Sequence, residues 1–200
     1  MSLRSYHALT HAPEPGAPLV FAFHGTGGDE YQFFDLARQL VPTGGVVSPR
    51  GDVSEGGAAR FFRRTGEGVY DMDDLARRTD RMATFIAAHK AAHPSSPAYG
   101  FGYSNGANIL ASVVMAYPDL FDRVALLHPL IPWTPAPVDL SNRSVLITAG
   151  RRDPICPWPL TEALIDWAER QGAAITTRIH EGGHDLRQSE IEALADLLSA

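Results

Sequence analysis

An α/β architecture is predicted for this chain, with a mostly parallel central sheet of about seven strands and helices on both faces. Two observations carry that reading. Short apolar runs rich in β-formers alternate with longer segments of helical period. Such alternation argues for a mostly parallel sheet covered by helices on both faces. In addition, 200 residues with 44% apolar content are enough to bury one good core. A single domain over residues 1–200 is expected, with no linker, internal repeat or low-complexity tract.

The elements follow in order. A first strand is expected over residues 3–9 and a second over 19–24, after which a glycine-rich turn leads into a helix at 30–40. A strand at 45–48 precedes residues 50–70, a glycine-rich segment without clear period that reads as a long loop on one edge of the sheet. Residues 73–89 form a helix with Leu75, Met82, Phe85, Ile86 and His89 on roughly one face. His89 and His93 near its end are expected close to solvent, with no partner to complete a metal site. A strand at 98–103 gives way to a helix at 107–116, and a strand at 123–127 to a proline-rich irregular stretch at 128–140. Strands at 144–149 and 174–180 flank a helix marked by Leu160, Ala163, Leu164 and Trp167, and Ile191, Leu194, Leu197 and Leu198 mark a last helix. Both irregular stretches would lie beyond the carboxyl ends of strands, where open parallel sheets place their ligand sites.

Composition narrows the function classes. The formal charge of −6 and the scattered Lys and Arg residues offer no face for a polyanion, so nucleic acid is not an expected partner. Cys156 is the only cysteine, which rules out an intramolecular disulfide framework and suits a reducing compartment. A basic segment followed by an apolar stretch is missing at the N-terminus, and no apolar run approaches a membrane span. The expectation is a cytoplasmic protein that does not associate with membranes.

Gly102-Tyr103-Ser104-Asn105-Gly106 sits where the strand at 98–103 meets its helix. A serine nucleophile needs such a sharp, strained turn, with small residues two before and two after it. A hydroxyl is a poor nucleophile at neutral pH, so Ser104 requires a histidine to take its proton and an acid to orient that histidine. Asp153 follows a strand through Gly150-Arg151-Arg152, and His184 follows the next strand through Gly182-Gly183. Each would come from its own strand end onto one rim of the sheet. Asp153 is also readable as a plain turn residue before Pro154. His180 falls at a strand end, where packing or hydrogen bonding is the commoner role, and Asp185 adjoins His184 too closely to reach its ring.

The tetrahedral intermediate of acyl transfer needs fixed donors. The expected pair is the backbone N–H of Asn105 and that of Thr26, in the turn His24-Gly25-Thr26-Gly27-Gly28. A phosphate-binding turn is the alternative, but no Lys-Ser/Thr pair follows it. His24 reads as a brace for the turn. Asp71, Asp73 and Asp74 read as a helix N-terminal cluster, and Cys156 as a semi-buried thiol near the pocket.

These residues resemble the α/β-hydrolase superfamily, in its small carboxylesterase and phospholipase branch that includes acyl-protein thioesterases, and within it the MhqD-type bacterial hydrolases. The strings that carry the resemblance are His24-Gly25-Thr26-Gly27-Gly28, Ser48-Pro49-Arg50-Gly51, Arg60-Phe61-Phe62-Arg63-Arg64, Glu67-Gly68-Val69-Tyr70-Asp71, Gly102-Tyr103-Ser104-Asn105-Gly106-Ala107-Asn108 and Gly150-Arg151-Arg152-Asp153-Pro154-Ile155. The resemblance implies the α/β-hydrolase fold without a separate lid domain. It also implies a Ser104, Asp153, His184 triad, oxyanion donors at Thr26 and Asn105, and no metal or organic cofactor. A small-molecule ester is the implied substrate, and a homodimer is common in proteins of this kind.

On the substrate side, Phe61, Phe62, Tyr70, Ile131 and Trp133 belong to the two loops expected to overhang Ser104, which suits a short apolar acyl or aromatic group. Arg63 and Arg64 are placed either on a substrate carboxylate or in ion pairs with Glu67, Asp71 or Asp73 that pin the loop. The expected activity is hydrolysis of small carboxylic esters through an acyl-enzyme. Thioesterase or lysophospholipase activity, or a binding protein that kept the fold without turnover, are the rival readings.

Overall fold

The computed structural model describes residues 3–199. In chain order its elements are β1 (Ala8–His11), β2 (Leu19–Phe23), α1 (Phe34–Leu40), β3 (Gly45–Pro49), β4 (Val53–Glu55), β5 (Ala58–Arg60), β6 (Arg64–Gly66), β7 (Val69–Tyr70), α2 (Met72–Ala92), β8 (Ala98–Tyr103), α3 (Asn105–Ala116), β9 (Arg123–Leu127), β10 (Ser144–Gly150), α4 (Trp158–Arg170), β11 (Ala174–His180) and α5 (Gln188–Ser199). Seven strands form one sheet in the order β1-β3-β2-β8-β9-β10-β11. All of its pairs are parallel except β1 with β3.

The period-two geometry of a strand explains the two cores. From β2, Leu19, Phe21 and Phe23 point to the face covered by α2, α3 and α4, where they belong to one core with Phe85, Phe121, Leu110 and Trp167. Val20 and Ala22 point to the opposite face, against Ala37 of α1 and Leu194 and Leu198 of α5. Helix α2 starts where Asp71 caps the amide of Asp74 at 2.9 Å, with Asp73 and Asp74 in the first turn and His89 and Lys90 in the last, as the helix dipole favours.

Three expectations are corrected. The N-terminal strand is not residues 3–9: β1 begins at Ala8, because its register is set by antiparallel pairing with β3, from Ala8 opposite Pro49 to His11 opposite Val46. Residues 50–70 are not a featureless loop but two small hairpins, β4–β5 and β6–β7. Gly56 and Gly57 turn the first with φ of 59° and 90°, the paired left-handed conformation of a tight hairpin. His89 is not near solvent; it is buried, edge-on to Phe85 and Phe21.

Candidate active site

Ser104 lies between the last residue of β8 and the first of α3, with φ 53° and ψ −117°. That conformation is costly for a residue with a Cβ, and it persists because the surroundings over-determine it. A Cβ on Gly102 would stand 2.5 Å from the carbonyl of Gly106, and one on Gly106 would stand 2.4 Å from the carbonyl oxygens of Phe23 and His24. Those atoms are backbone and cannot step aside. The Ser104 amide donates to Leu127 O at 2.9 Å, which ties the turn to β9.

His184 Nε2 is 2.9 Å from Ser104 Oγ, and His184 Nδ1 is 2.6 Å from Asp153 Oδ2. An ionised carboxylate only accepts, so the proton sits on Nδ1 and leaves Nε2 free to accept from the serine hydroxyl. Asp153 is buried, and its other oxygen accepts the amides of Ile155 at 2.8 Å and Cys156 at 2.9 Å. Burial alone would favour its neutral form. The Cys156 amide, His128, His184 and the Ile155 amide together outweigh burial and hold the carboxyl below its ordinary range. The His184 loop rests on the end of β10, where a Cβ on Gly150 would meet Gly183 O at 2.1 Å. Tyr103 braces it from β8: its hydroxyl donates to His184 O at 2.7 Å and its ring lies 5.1 Å from the imidazole. Burial pushes the Tyr103 hydroxyl up to about 12, so it stays a donor.

In the turn after β2, three of four successive amides have acceptors: Gly25 N donates to Gln32 Oε1 at 2.9 Å, Gly27 N to Ala59 O at 3.0 Å and Gly28 N to Gly25 O at 3.0 Å. Among the described residues the Thr26 amide is the one of the four without a protein acceptor. The Asn105 amide opens α3, so it has no intrahelical acceptor either. His24 braces the turn, with Nδ1 2.7 Å from Gly25 O and Nε2 accepting from Gly51 N at 2.9 Å. Burial lowers its proton affinity, in keeping with a neutral ring.

Thr26, Ser104, Asn105 and His184 line a cavity of about 280 Å³, with Arg60, Arg64, Tyr70 and Cys156 on its other walls. Of the residues expected to contact substrate, Tyr70 and Arg64 are on this cavity. The others are not, which corrects the expectation. Phe61 and Phe62 are core side chains, since the Phe61 amide donates to Asn105 Oδ1 at 2.8 Å and draws the segment inward. Ile131 and Trp133 line a separate surface cleft against α4. Arg63 points outward and pairs with Asp71 at 2.9 Å, the loop-pinning role. Arg64 shares Glu55 with buried Arg60, whose other end donates to Thr26 Oγ1 at 2.7 Å. Cys156 is fully buried beside the cavity, its thiol donating to His128 O at 3.2 Å, and burial pushes its proton affinity up.

Four polar residues around the site were not anticipated as participants. Tyr103 is described above. Asn108 holds the irregular stretch over the cavity, donating to Tyr70 Oη at 2.8 Å and accepting from Leu130 N at 2.7 Å. His128 and Glu190 are completely buried behind Asp153. A signal for Glu190 exists: it stands four and eight residues before Leu194 and Leu198, on the face of α5 that the apolar stripe buries.

No protein-family model matches the chain. It is 36% identical over 189 residues to the MhqD hydrolase of Bacillus subtilis (strain 168), covering 92% of this chain and 94% of that protein. A crystal structure of a protein of unknown function from Agrobacterium tumefaciens str. C58 superimposes with a TM-score of 0.96 at 52% identity, over 100% of this chain and 98% of the other. The Bacillus cereus carboxylesterase does so with a TM-score of 0.91 at 32% identity, over 98% and 94%.

Proposed function

This chain belongs to the MhqD-like hydrolases of the α/β-hydrolase fold, and from that premise we propose that it is a serine carboxylesterase working through Ser104, His184 and Asp153. One observation carries the reading: a serine on a strained elbow, 2.9 Å from an imidazole whose far nitrogen is 2.6 Å from a buried carboxylate. In the reaction, Ser104 Oγ attacks the acyl carbon while His184 Nε2 takes its proton. The amides of Thr26 and Asn105 stabilise the oxyanion. Collapse of the intermediate expels the alcohol, which takes the proton from His184, and leaves an acyl-Ser104 ester. Water then attacks this ester, giving a proton to His184, and the acid departs as that proton returns to Ser104. Asp153 stabilises the imidazolium in both halves.

The cavity, about 280 Å³, sits at the small end of ligand pockets, which run from about 300 to 1,000 Å³, and it supports short acyl groups over long-chain lipids. Arg64 on its wall is the residue suited to a carboxylate on the acyl group. Purified protein is expected to cleave short p-nitrophenyl esters much faster than long ones and to be labelled by a fluorophosphonate probe, with labelling abolished in Ser104→Ala. Absence of labelling in well-folded wild type would favour a binding protein that does not turn over.

A further inference from the structure

Asp153 serves a second histidine besides His184. Its Oδ2 also lies 2.9 Å from Nδ1 of His128, and Nε2 of His128 lies 3.0 Å from Oε1 of Glu190. The second contact has an ion pair's distance without a hydrogen bond's preferred angle. All three side chains are fully buried. His128 is held there by its own backbone, which adopts φ 51° and donates to Thr148 O at 3.0 Å.

Counting protons decides the charge of this ring. A neutral imidazole has one N–H and one lone pair. Here both nitrogens face carboxylate oxygens, so a neutral His128 would press a lone pair against one of them. A proton moved onto Glu190 would be the other escape, but Glu190 is poorly placed to hold it. Its Oε2 accepts the Arg187 amide at 2.7 Å and faces His180 Nε2 at 3.2 Å. It also stands in the first turn of α5, where the helix dipole favours an anion. The proton of His180 is on the side facing it: its Nδ1 accepts the Gly182 amide at 2.9 Å, which puts the ring proton on Nε2, at ion-pair distance from Glu190 but without a hydrogen bond's alignment. The same tautomer removes the lone pair that a metal bound by His128, His180 and Glu190 would need.

Building on the triad reading, we propose that His128 is a resident imidazolium locked between Asp153 and Glu190, and that His128 and Glu190 are positioning residues that fix the catalytic carboxylate and set the charge it faces. The groups facing His128 are Tyr103 from β8, Asp153 and Cys156 after β10, His180 from β11, His184 from the following loop and Glu190 from α5. Of these only Asp153 and Glu190 are acids, and the cation between them reduces two buried negative charges to one, where both carboxylates facing a neutral ring would be more costly. Burial works against the cation, yet Glu190 and Asp153 together hold its proton affinity above the ordinary value.

The test has two arms. In full-length protein labelled with nitrogen-15, His128 is expected to show two imidazole N–H signals through about pH 6 to 8, assigned by their loss in His128→Asn. In the second arm Glu190→Gln keeps the shape and offers an amide N–H to a now neutral ring. Its kcat/KM profile for p-nitrophenyl acetate should have an acid limb displaced upward by roughly one pH unit, because Asp153 no longer faces a cation. KM should stay within about twofold in both variants, while His128→Asn, which also loosens the carboxylate, should lose on the order of tenfold or more in kcat. A single N–H on His128 in the wild type overturns the proposal. So does a Glu190→Gln profile that overlays the wild type in protein of unchanged circular dichroism. Full turnover by Ser104→Ala would sink the triad reading instead, and the protonation of His128 is read without turnover.

Discussion

On the side of the cavity that carries the proposed nucleophile, Ser104 is held by backbone: a strand ending directly in a helix, two glycines pressed against carbonyls, and an amide bonded to β9. On the acid side, Asp153 and His184 sit in loops, where the Ile155 and Cys156 amides, the Tyr103 hydroxyl and the close approach of Gly150 to Gly183 act together with the buried charges of His128 and Glu190. The two halves meet at one 2.9 Å contact. Steric exclusion by backbone fixes the part that must be strained, whereas the part that must exchange a proton relies in addition on polar contacts and buried charge. The first is indifferent to pH and the second is not.

Breaking either half at its reacting atom gives the largest effect. Ser104→Ala and Asp153→Asn should each lower kcat by about 10⁴-fold in ester hydrolysis, Asp153→Asn because His184 then loses its tautomer preference. Comparable kcat in Asp153→Asn and wild type would count against the acid-side assignment. The next effect belongs to the nucleophile half alone. Gly106→Ala forces a Cβ into the carbonyls of Phe23 and His24 and should cost about 3 kcal/mol in urea unfolding, or prevent folding.

The pH dependence sharpens the contrast. Asp153 and Glu190 bind protons more weakly folded than unfolded, so their contribution is complete above the ordinary carboxylate range, about pH 4, and disappears as pH falls through their lower folded values. His128 binds its proton more strongly folded, so its contribution is complete below about pH 6.5 and drains away as pH rises through the higher folded value. Urea unfolding between about pH 5 and pH 9 should therefore show a decline on the alkaline side, with a slope of up to about 1.4 kcal/mol per pH unit for the one proton released. His128→Asn, whose new side chain tolerates the positive φ, should flatten that decline. A substitution in the elbow that still folds should lower the curve without changing its shape.

The smallest effects test what lies outside both halves. Arg63→Ala removes an exposed pair with Asp71 and should change stability by about 0.5 kcal/mol or less and leave KM alone. Arg64→Ala, on the cavity wall, should raise KM for an ester bearing a carboxylate more than for a neutral one. Equal KM changes for both esters would remove Arg64 from substrate recognition.

The inner parallel strands were legible because they are buried on both faces and read as apolar runs, down to the bounds of β8 and β9, whereas β11, an exposed edge strand, was legible through its β-branched residues Ile175, Thr176, Thr177 and Ile179. Ser104, Asp153 and His184 were legible as candidates because each stands just past a strand end, within three residues of a glycine. The two hairpins between β3 and α2 were not, since strands of two or three residues carry no period. Phe61 and Phe62 misled because an aromatic pair in an irregular segment looks the same whether it faces ligand or core; a distant hydrogen bond to Asn105 decides it. His128 and Glu190 gain their meaning from each other across 62 residues of chain, taken from their positions, which no local pattern encodes.

Because one oxygen of Asp153 is shared by two imidazoles, positions 128, 153 and 190 are not free to drift separately. Replacing His128 leaves two buried carboxylates without the cation between them, and replacing either carboxylate leaves the ring with one anionic partner in place of two, so the damage done by two replacements together should be less than the sum of each alone. Among homologous chains this trio is then expected to be inherited as a block or exchanged as one, a coupled trait that pairwise variation across an alignment would expose.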